Sequence, residues 1–122
     1  MNHVYQQSTG IWTLPDSTTW TGYSGNGQWK NDPASQCVKD HGPLPRGWYT
    51  IGQLIADGGH LGPDVMELIP DPDNDMCDRG GFYLHGDSIS DPGNASDGCI
   101  VMAHTIRMLV ANSGCTRLEV IA

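Results

Sequence analysis

Short β-like segments separated by turn residues dominate this sequence and limit the folds that it can adopt. Sixteen glycines and eight prolines punctuate the chain, and both residues mark turns. The segments between them are rich in β-branched and aromatic residues, which suit a pleated, half-buried strand. They cover residues 18–23, 48–54, 65–69, 81–85 and 117–121. The pattern predicts a mainly β, mostly antiparallel fold.

One segment departs from this pattern. Ile106, Leu109 and Val110 recur at helical spacing, and the run Asn112-Ser113-Gly114 provides a C-terminal stop. We therefore expect one principal helix over residues 103–113, following Cys99.

The length of the chain is that of one domain. A chain of 122 residues can bury its own core without a second domain. We find no internal repeat, low-complexity tract or long linker, so residues 1–122 are predicted to form a single catalytic domain.

Charge and hydropathy exclude two classes of partner. The formal net charge is -8 with only six Lys and Arg, which disfavours binding to a phosphate backbone. No stretch approaches the roughly 20 apolar residues of a membrane helix. The start MNHVYQQSTG lacks the basic and apolar regions of a secretory signal. We expect a protein made in the cytoplasm without a signal peptide, and with no membrane span and no nucleic-acid partner.

No metal or cofactor is predicted. Asp71, Asp73 and Asp75 resemble the start of a calcium loop, but its sixth position would be Met76 and its twelfth Phe82, instead of Gly and Glu. The histidines outside the main motif show no ligand spacing among them; they include His41, His60 and His104.

The four cysteines form no CxxC pair, so neither a zinc ribbon nor a thioredoxin motif is present. They are Cys37, Cys77, Cys99 and Cys115. If Cys99 is a free nucleophile, the other three allow at most one intramolecular disulfide and leave one thiol over. The sequence does not select the pair.

Two motifs carry the chemistry. The first, Phe82-Tyr83-Leu84-His85-Gly86, is an apolar strand that ends in His-Gly, and the second is the turn Ser96-Asp97-Gly98-Cys99 before an apolar run. A thiol needs a base to become a good nucleophile, and His85 at the end of the strand can supply it. Gly98 permits a tight turn that leaves the N–H groups of Gly98 and Cys99 free for an oxyanion.

The order HG, a Gly/Asp/Ser-rich loop and SDGC resembles the HG...SxGC signature of L,D-transpeptidases. Upstream, the segment HGPLPRGWYTI, residues 41–51, is similar to the TPxGxYxI segment of those domains. The short chain with its Tyr-, Gly- and Trp-rich N-terminal third looks like the L,D-transpeptidase-related toxins delivered by type VI secretion. The resemblance covers the chain from about Tyr5 onward.

This resemblance implies a compact L,D-transpeptidase-like β-sandwich and a cysteine-dependent activity on peptidoglycan. Cys99 would be the nucleophile and His85 its base, with Ser96, Gly98 and Gly86 in the surrounding turns. The enzyme would cleave or exchange the terminal D-alanine of tetrapeptide stems through a thioester, as an L,D-carboxypeptidase or L,D-transpeptidase. Nothing in the sequence selects water, a D-amino acid or another stem as the acceptor.

The substrate contacts transfer less directly from the family. L,D-transpeptidases often carry Arg two residues after the cysteine, where this chain has Val101. Arg79 is then the leading candidate for binding a substrate carboxylate, and Arg107 is the second. We also assign Tyr83 and Asp97 to substrate binding; an Asp97 carboxylate close to the thiol would raise the pKa of Cys99, and a turn-stabilising role for Asp97 is equally compatible.

The implied partners are peptidoglycan stem peptides, a periplasmic immunity protein that plugs the cleft, and a component of the secretion apparatus. The protein would be secreted and act in the periplasm of the target bacterium. Two alternatives stay open. One is a papain-like cell-wall cysteine endopeptidase, in which the Cys normally precedes the His and opens a helix. The other is a non-enzymatic, disulfide-stabilised binding domain in which Cys99 is bridged.

Overall fold

The computed structural model of the chain describes residues 1–122 and contains ten strands and one α-helix. The first six strands are β1 (His3–Gln6), β2 (Ile11–Thr13), β3 (Thr19–Thr21), β4 (Tyr23–Ser24), β5 (Gly47–Ile51) and β6 (Ile55–Asp57). The remaining elements are β7 (Pro63–Pro70), β8 (Tyr83–His85), β9 (Ile100–Val101), α1 (His104–Ala111) and β10 (Arg117–Ile121). Three 3-10 turns cover Gly27–Trp29, Pro33–Ser35 and Gly59–Leu61.

The strands form one barrel-like sheet in the order β3-β2-β1-β10-β5-β7-β8-β9-β4, with β6 paired to β7. Two pairs are parallel, β1 with β10 and β8 with β9, and the others are antiparallel. The predicted mainly β, mostly antiparallel fold is confirmed. The predicted helix is also present, two residues shorter at its C-terminal end and one at its start than the expected 103–113.

Tertiary contacts changed the ends of two predicted strands. The segment 18–23 is divided into β3 and β4 at Gly22, where a Cβ atom would collide with the carbonyl oxygen of Val101. This close approach lets the chain leave β2 and pair with β9. The segment 48–54 ends as a strand at Ile51. Strands β1, β2, β6 and β9 have four residues or fewer, too few for a clear alternating pattern.

A single core joins the sheet to the helix. Tyr5, Trp12 and Tyr49 are fully buried, and Ile106 and Val110 of α1 pack against the same cluster. Burial of aromatic and aliphatic side chains of this size is the main stabilising contribution to such a fold. No helix is long and apolar enough to cross a bilayer.

Asp71, the first carboxylate of the calcium-like segment, has a structural partner. Its two carboxylate oxygens accept hydrogen bonds from Arg117 at 2.9 and 2.7 Å. The pair connects the end of β7 to β10 on the protein surface.

Candidate active site

The parallel pair β8–β9 brings the two motifs together. Leu84 lies opposite Ile100 and His85 opposite Val101, so Cys99, one residue before β9, lies level with Tyr83. The Tyr83 N–H donates to Cys99 Sγ at 3.3 Å. Cys99 and His85 both line a cleft of about 1050 Å³, together with Tyr83, Asp97, Arg79 and Arg107.

Ser96 organises the turn that presents the cysteine. Its side chain is fully buried, and its Oγ accepts from the N–H groups of Gly25 at 2.9 Å and Gly98 at 3.0 Å while donating to the Cys99 carbonyl. The prediction that the Gly98 N–H is free for an oxyanion is therefore wrong, because Ser96 binds it. The Cys99 N–H has no acceptor among the hydrogen bonds of the protein, and it is the remaining donor of the predicted pair.

Gly98 is required by both backbone conformation and space. Its φ is +136°, and a Cβ atom would lie 2.5 Å from Arg79 Nη2 and 2.6 Å from Phe82 Cε1. Any side chain here would be strained and would displace its neighbours. The glycine in the SDGC motif thus lets the turn pack directly on the Arg79 guanidinium.

The environment of Cys99 favours the neutral thiol. Burial is the largest influence and raises the pKa of Cys99, and the Asp97 carboxylate raises it further. The hydrogen bond from the Tyr83 N–H and the Arg79 cation lower it. The net shift of this pKa is upward. The direction expected for Asp97 from the sequence is confirmed. The thiol is half-buried and unbridged.

The environment of His85 favours the neutral imidazole. Its Nδ1 lies 2.7 Å from the Gly86 carbonyl oxygen, which can only accept, so Nδ1 carries the proton and Nε2 is the basic nitrogen. Burial is the largest influence and lowers the pKa of His85, and Arg107 and His60 lower it further. The Gly86 hydrogen bond and Asp87 raise it. The net shift of this pKa is downward. Both shifts favour the neutral forms, a thiol at Cys99 and a neutral imidazole at His85.

Arg79 joins three segments around the cysteine turn. Its side chain is 9% exposed, and all four of its Nη–H groups bind main-chain carbonyls. Nη1 donates to Gln36 and Pro43, and Nη2 donates to Gly42 and Asp97. The predicted role of Arg79 in carboxylate binding stays a prediction, and these contacts give it a structural role as well.

A disulfide reinforces the same connection. Cys37 and Cys77 are bridged, with their Cα atoms 5.2 Å apart, while Cys99 and Cys115 are free. One bridge and one extra thiol fit the expectation for a free Cys99, and the alternative in which Cys99 itself is bridged is contradicted. We call the Cys37–Cys77 bridge, together with Arg79 and its four carbonyl acceptors, the clamp.

Arg107 lies on helix α1 beside His85 and is bonded differently. It is 6% exposed, and only its Nη1 has acceptors, the carbonyls of Pro63 at 2.8 Å and Asp64 at 2.9 Å. A Cβ atom on Gly86 would lie 2.8 Å from Nη2, so the predicted turn glycine Gly86 leaves room for this guanidinium.

Several residues that build the site were not predicted from the sequence. Ser24 is fully buried; its Oγ donates to the Gly98 carbonyl at 2.9 Å and accepts from the Leu44 N–H at 2.8 Å. Asn26 donates to the Ser96 carbonyl at 2.9 Å. Both act across about 70 residues of sequence, and a serine or asparagine at such a distance carries no local pattern.

The fold resembles that of a solved enzyme structure. The structure aligns with the crystal structure of Mycobacterium tuberculosis L,D-transpeptidase 1 at a TM-score of 0.58 and 14% sequence identity, over 98% of this chain and 58% of that one. The protein thus has an L,D-transpeptidase-like domain, and it spans somewhat more than half the length of that structure. Cys99 precedes a strand and follows His85 in sequence, unlike the papain-like arrangement.

The family is shown by the sequence itself. The model of the Tlde1 domain matches residues 18–121, which is most of the chain. The chain belongs to the Tlde1 domain family of type VI secretion L,D-transpeptidase effectors. No curated protein matches the sequence.

Proposed function

We propose that this protein is a cysteine-dependent enzyme that cleaves or exchanges the terminal D-alanine of peptidoglycan tetrapeptide stems. The main support is the parallel β8–β9 pairing, because it puts a free, half-buried thiol and an imidazole with a basic Nε2 into one cleft. Residues 1–122 would form the catalytic domain. Peptidoglycan stem peptides are the substrate.

In the first step, His85 Nε2 takes the proton of the Cys99 thiol as Sγ attacks the carbonyl carbon of the third residue of the stem. A tetrahedral oxyanion forms, and the Cys99 N–H is available to donate to it. When the oxyanion collapses, the C–N bond breaks. The leaving D-alanine amine receives the proton from His85, and a thioester to Cys99 remains.

In the second step, the acceptor attacks the thioester while His85 takes a proton from the acceptor. The C–S bond breaks, and the proton returns to the sulfur. Water as acceptor gives a tripeptide stem, a D-amino acid gives an exchanged tetrapeptide, and the amine of a neighbouring stem gives a crosslink. A neutral resting pair supports general-base catalysis in both steps.

We further propose that the effector is secreted and acts in the periplasm of a target bacterium, where an immunity protein would occupy the cleft between His85 and Cys99. The Cys37–Cys77 bridge supports this site of action, since disulfides persist in the periplasm and are rare in the cytosol. A component of the secretion apparatus would be a second partner.

Mass spectrometry of muropeptides after incubation with the purified, oxidised protein tests the proposed reaction. We expect tripeptide stems and free D-alanine, or exchanged stems when a D-amino acid is added. Cys99→Ala should abolish both products because the covalent route is lost. His85→Ala should lower turnover by at least about 100-fold.

Cys115→Ala is the matched control, because Cys115 is the other free thiol and lies outside the catalytic cleft. It should retain wild-type products. Unchanged muropeptides with the wild-type protein would contradict the proposed reaction, and full activity in Cys99→Ala would contradict the nucleophile.

Expression in a Gram-negative host tests the site of action. An export signal should make the protein toxic only while Cys99 is intact, and the same chain kept in the cytoplasm should be harmless. Equal toxicity from the cytoplasmic form would contradict a peptidoglycan target.

A further inference from the structure

Arg107 carries a buried positive charge whose hydrogen-bonding capacity is largely unused. A guanidinium has five N–H groups. Two of them, on Nη1, bind the carbonyls of Pro63 and Asp64. Nε is buried without any partner, and Nη2 makes no hydrogen bond. Of these three unused donors, the two on Nη2 remain for a ligand, because Nε is enclosed by the protein.

No carboxylate of the protein neutralises this charge by direct contact. Asp64 is the acidic residue whose charge acts on Arg107, but its carboxylate Oδ2 lies 2.8 Å from His104 Nε2, and only its main-chain oxygen binds Arg107. A guanidinium that is 6% exposed is costly without an anionic partner. The unfilled donors and the missing counter-charge both point to an anionic ligand.

The guanidinium lies on the His85 side of the cleft. It packs directly over Gly86, the residue after His85, and it lowers the pKa of His85. In the proposed reaction His85 protonates the amine of the leaving amino acid. One carbon atom, the Cα, separates that amine from its own carboxylate, so a cation next to His85 is suitably placed for this group.

We propose that Arg107 binds the α-carboxylate of the amino acid that leaves the stem. Arg107 is thus a specificity-determining residue, and it takes the function that Arg79 was expected to have. This inference rests on the proposed function, because it assigns a subsite of the same reaction. The Nη donors of Arg79 are bound by four carbonyls. Arg107 is therefore the arginine of the cleft with free Nη donors, and Lys39, which also lines the cleft, lies close in sequence to the Cys37–Cys77 bridge.

The subsite serves exchange as well as cleavage. An incoming D-amino acid attacks the thioester along the reverse of the path by which D-alanine leaves, so its carboxylate would occupy the same position on Arg107. The site should accept D-amino acids with a free carboxylate and discriminate against their amides.

The test compares two synthetic tetrapeptide stems that differ only at the C-terminus, one with free D-alanine and one with D-alaninamide. The wild-type protein should prefer the free acid by about 10- to 100-fold in kcat/KM, the range expected for hydrogen bonds to a charged group. Arg107→Gln should reduce this preference to about threefold or less, mainly by losing activity on the acid. Arg107→Lys should recover part of it.

Arg117→Gln is the matched control, because Arg117 pairs with Asp71 on the surface and does not line the cleft; it should keep the wild-type preference. Equal wild-type activity on acid and amide would overturn the role of Arg107 while leaving the proposed function intact. A wild-type preference that persists in Arg107→Gln would also overturn it. If neither stem is cleaved by the wild-type protein, the proposed function itself fails. The ratio of kcat/KM on the acid and the amide is measured on the wild-type protein alone, so it tests the inference even if Arg107→Gln folds poorly.

Discussion

The two sides of the cleft each carry a buried arginine, and the arginines differ in what they bind. On the clamp side, Arg79 is 9% exposed and gives all four Nη–H groups to main-chain carbonyls. On the helix side, Arg107 is 6% exposed and gives only two. Burial is the same within a few per cent. The number of unused donors, rather than the burial of the charge, therefore separates a structural arginine from one that can bind a ligand.

The two sides also act on different catalytic groups. Arg79 and Asp97, on the clamp side, influence the pKa of Cys99, whereas Arg107 influences the pKa of His85. The clamp would therefore tune the nucleophile and hold its turn. The helix side would tune the base and bind the leaving group.

The largest effect on stability should come from opening the clamp at its disulfide. The bridge spans 40 residues of sequence, and a loop of that length corresponds to about 4 kcal/mol of lost unfolded-state entropy. Cys37→Ser combined with Cys77→Ser should lower the free energy of unfolding by roughly this amount in urea. Cys115→Ser should cost about 1 kcal/mol or less. Equal unfolding midpoints for the double variant and the wild type would show that the bridge does not stabilise the clamp.

The next effect separates the two arginines by stability. Arg79→Ala leaves four carbonyls without their donor and should lower the free energy of unfolding by roughly 3 kcal/mol. Arg107→Ala loses two hydrogen bonds but also removes a buried charge without a counter-ion, so roughly 1 kcal/mol is expected. Urea unfolding with Cys37–Cys77 oxidised in both variants checks the order. A larger loss in Arg107→Ala would reverse the structural part of the comparison.

The smallest effect concerns the titration of the two catalytic groups. The Asp97 carboxylate raises the pKa of Cys99, so Asp97→Asn should lower that pKa and accelerate iodoacetamide alkylation at neutral pH by less than about tenfold. Arg107 lowers the pKa of His85, so Arg107→Gln should raise it, as followed by NMR. Asp87 and His60 also act on His85 and remain unchanged.

Slower alkylation in Asp97→Asn, or a lower pKa of His85 in Arg107→Gln, would contradict the division between the two sides. Alkylation is to be followed in Cys115→Ser protein, so that Cys99 is the only free thiol.

Local sequence patterns were enough to predict the class of fold and the two motifs of the site. Turn residues between β-rich segments fix a mainly β protein, the period of Ile106 and Val110 fixes the helix, and the order His85 then Cys99 identifies the resemblance to L,D-transpeptidases. These properties depend on residues close together in sequence. The number of cysteines also limits the chain to one disulfide if Cys99 is free, but it could not identify Cys37 and Cys77 as the bridged pair.

Which groups are available around these motifs depends on contacts between distant parts of the chain. The Gly98 N–H donates to Ser96 Oγ. Arg79, which precedes β8 in sequence, donates its Nη hydrogens to carbonyls of the loop that holds Gln36 and Gly42. Arg107 gains its place beside His85 because α1 packs against β7 and the guanidinium reaches Gly86. A donor is free or used according to contacts across many residues, and no local pattern of side chains records those contacts.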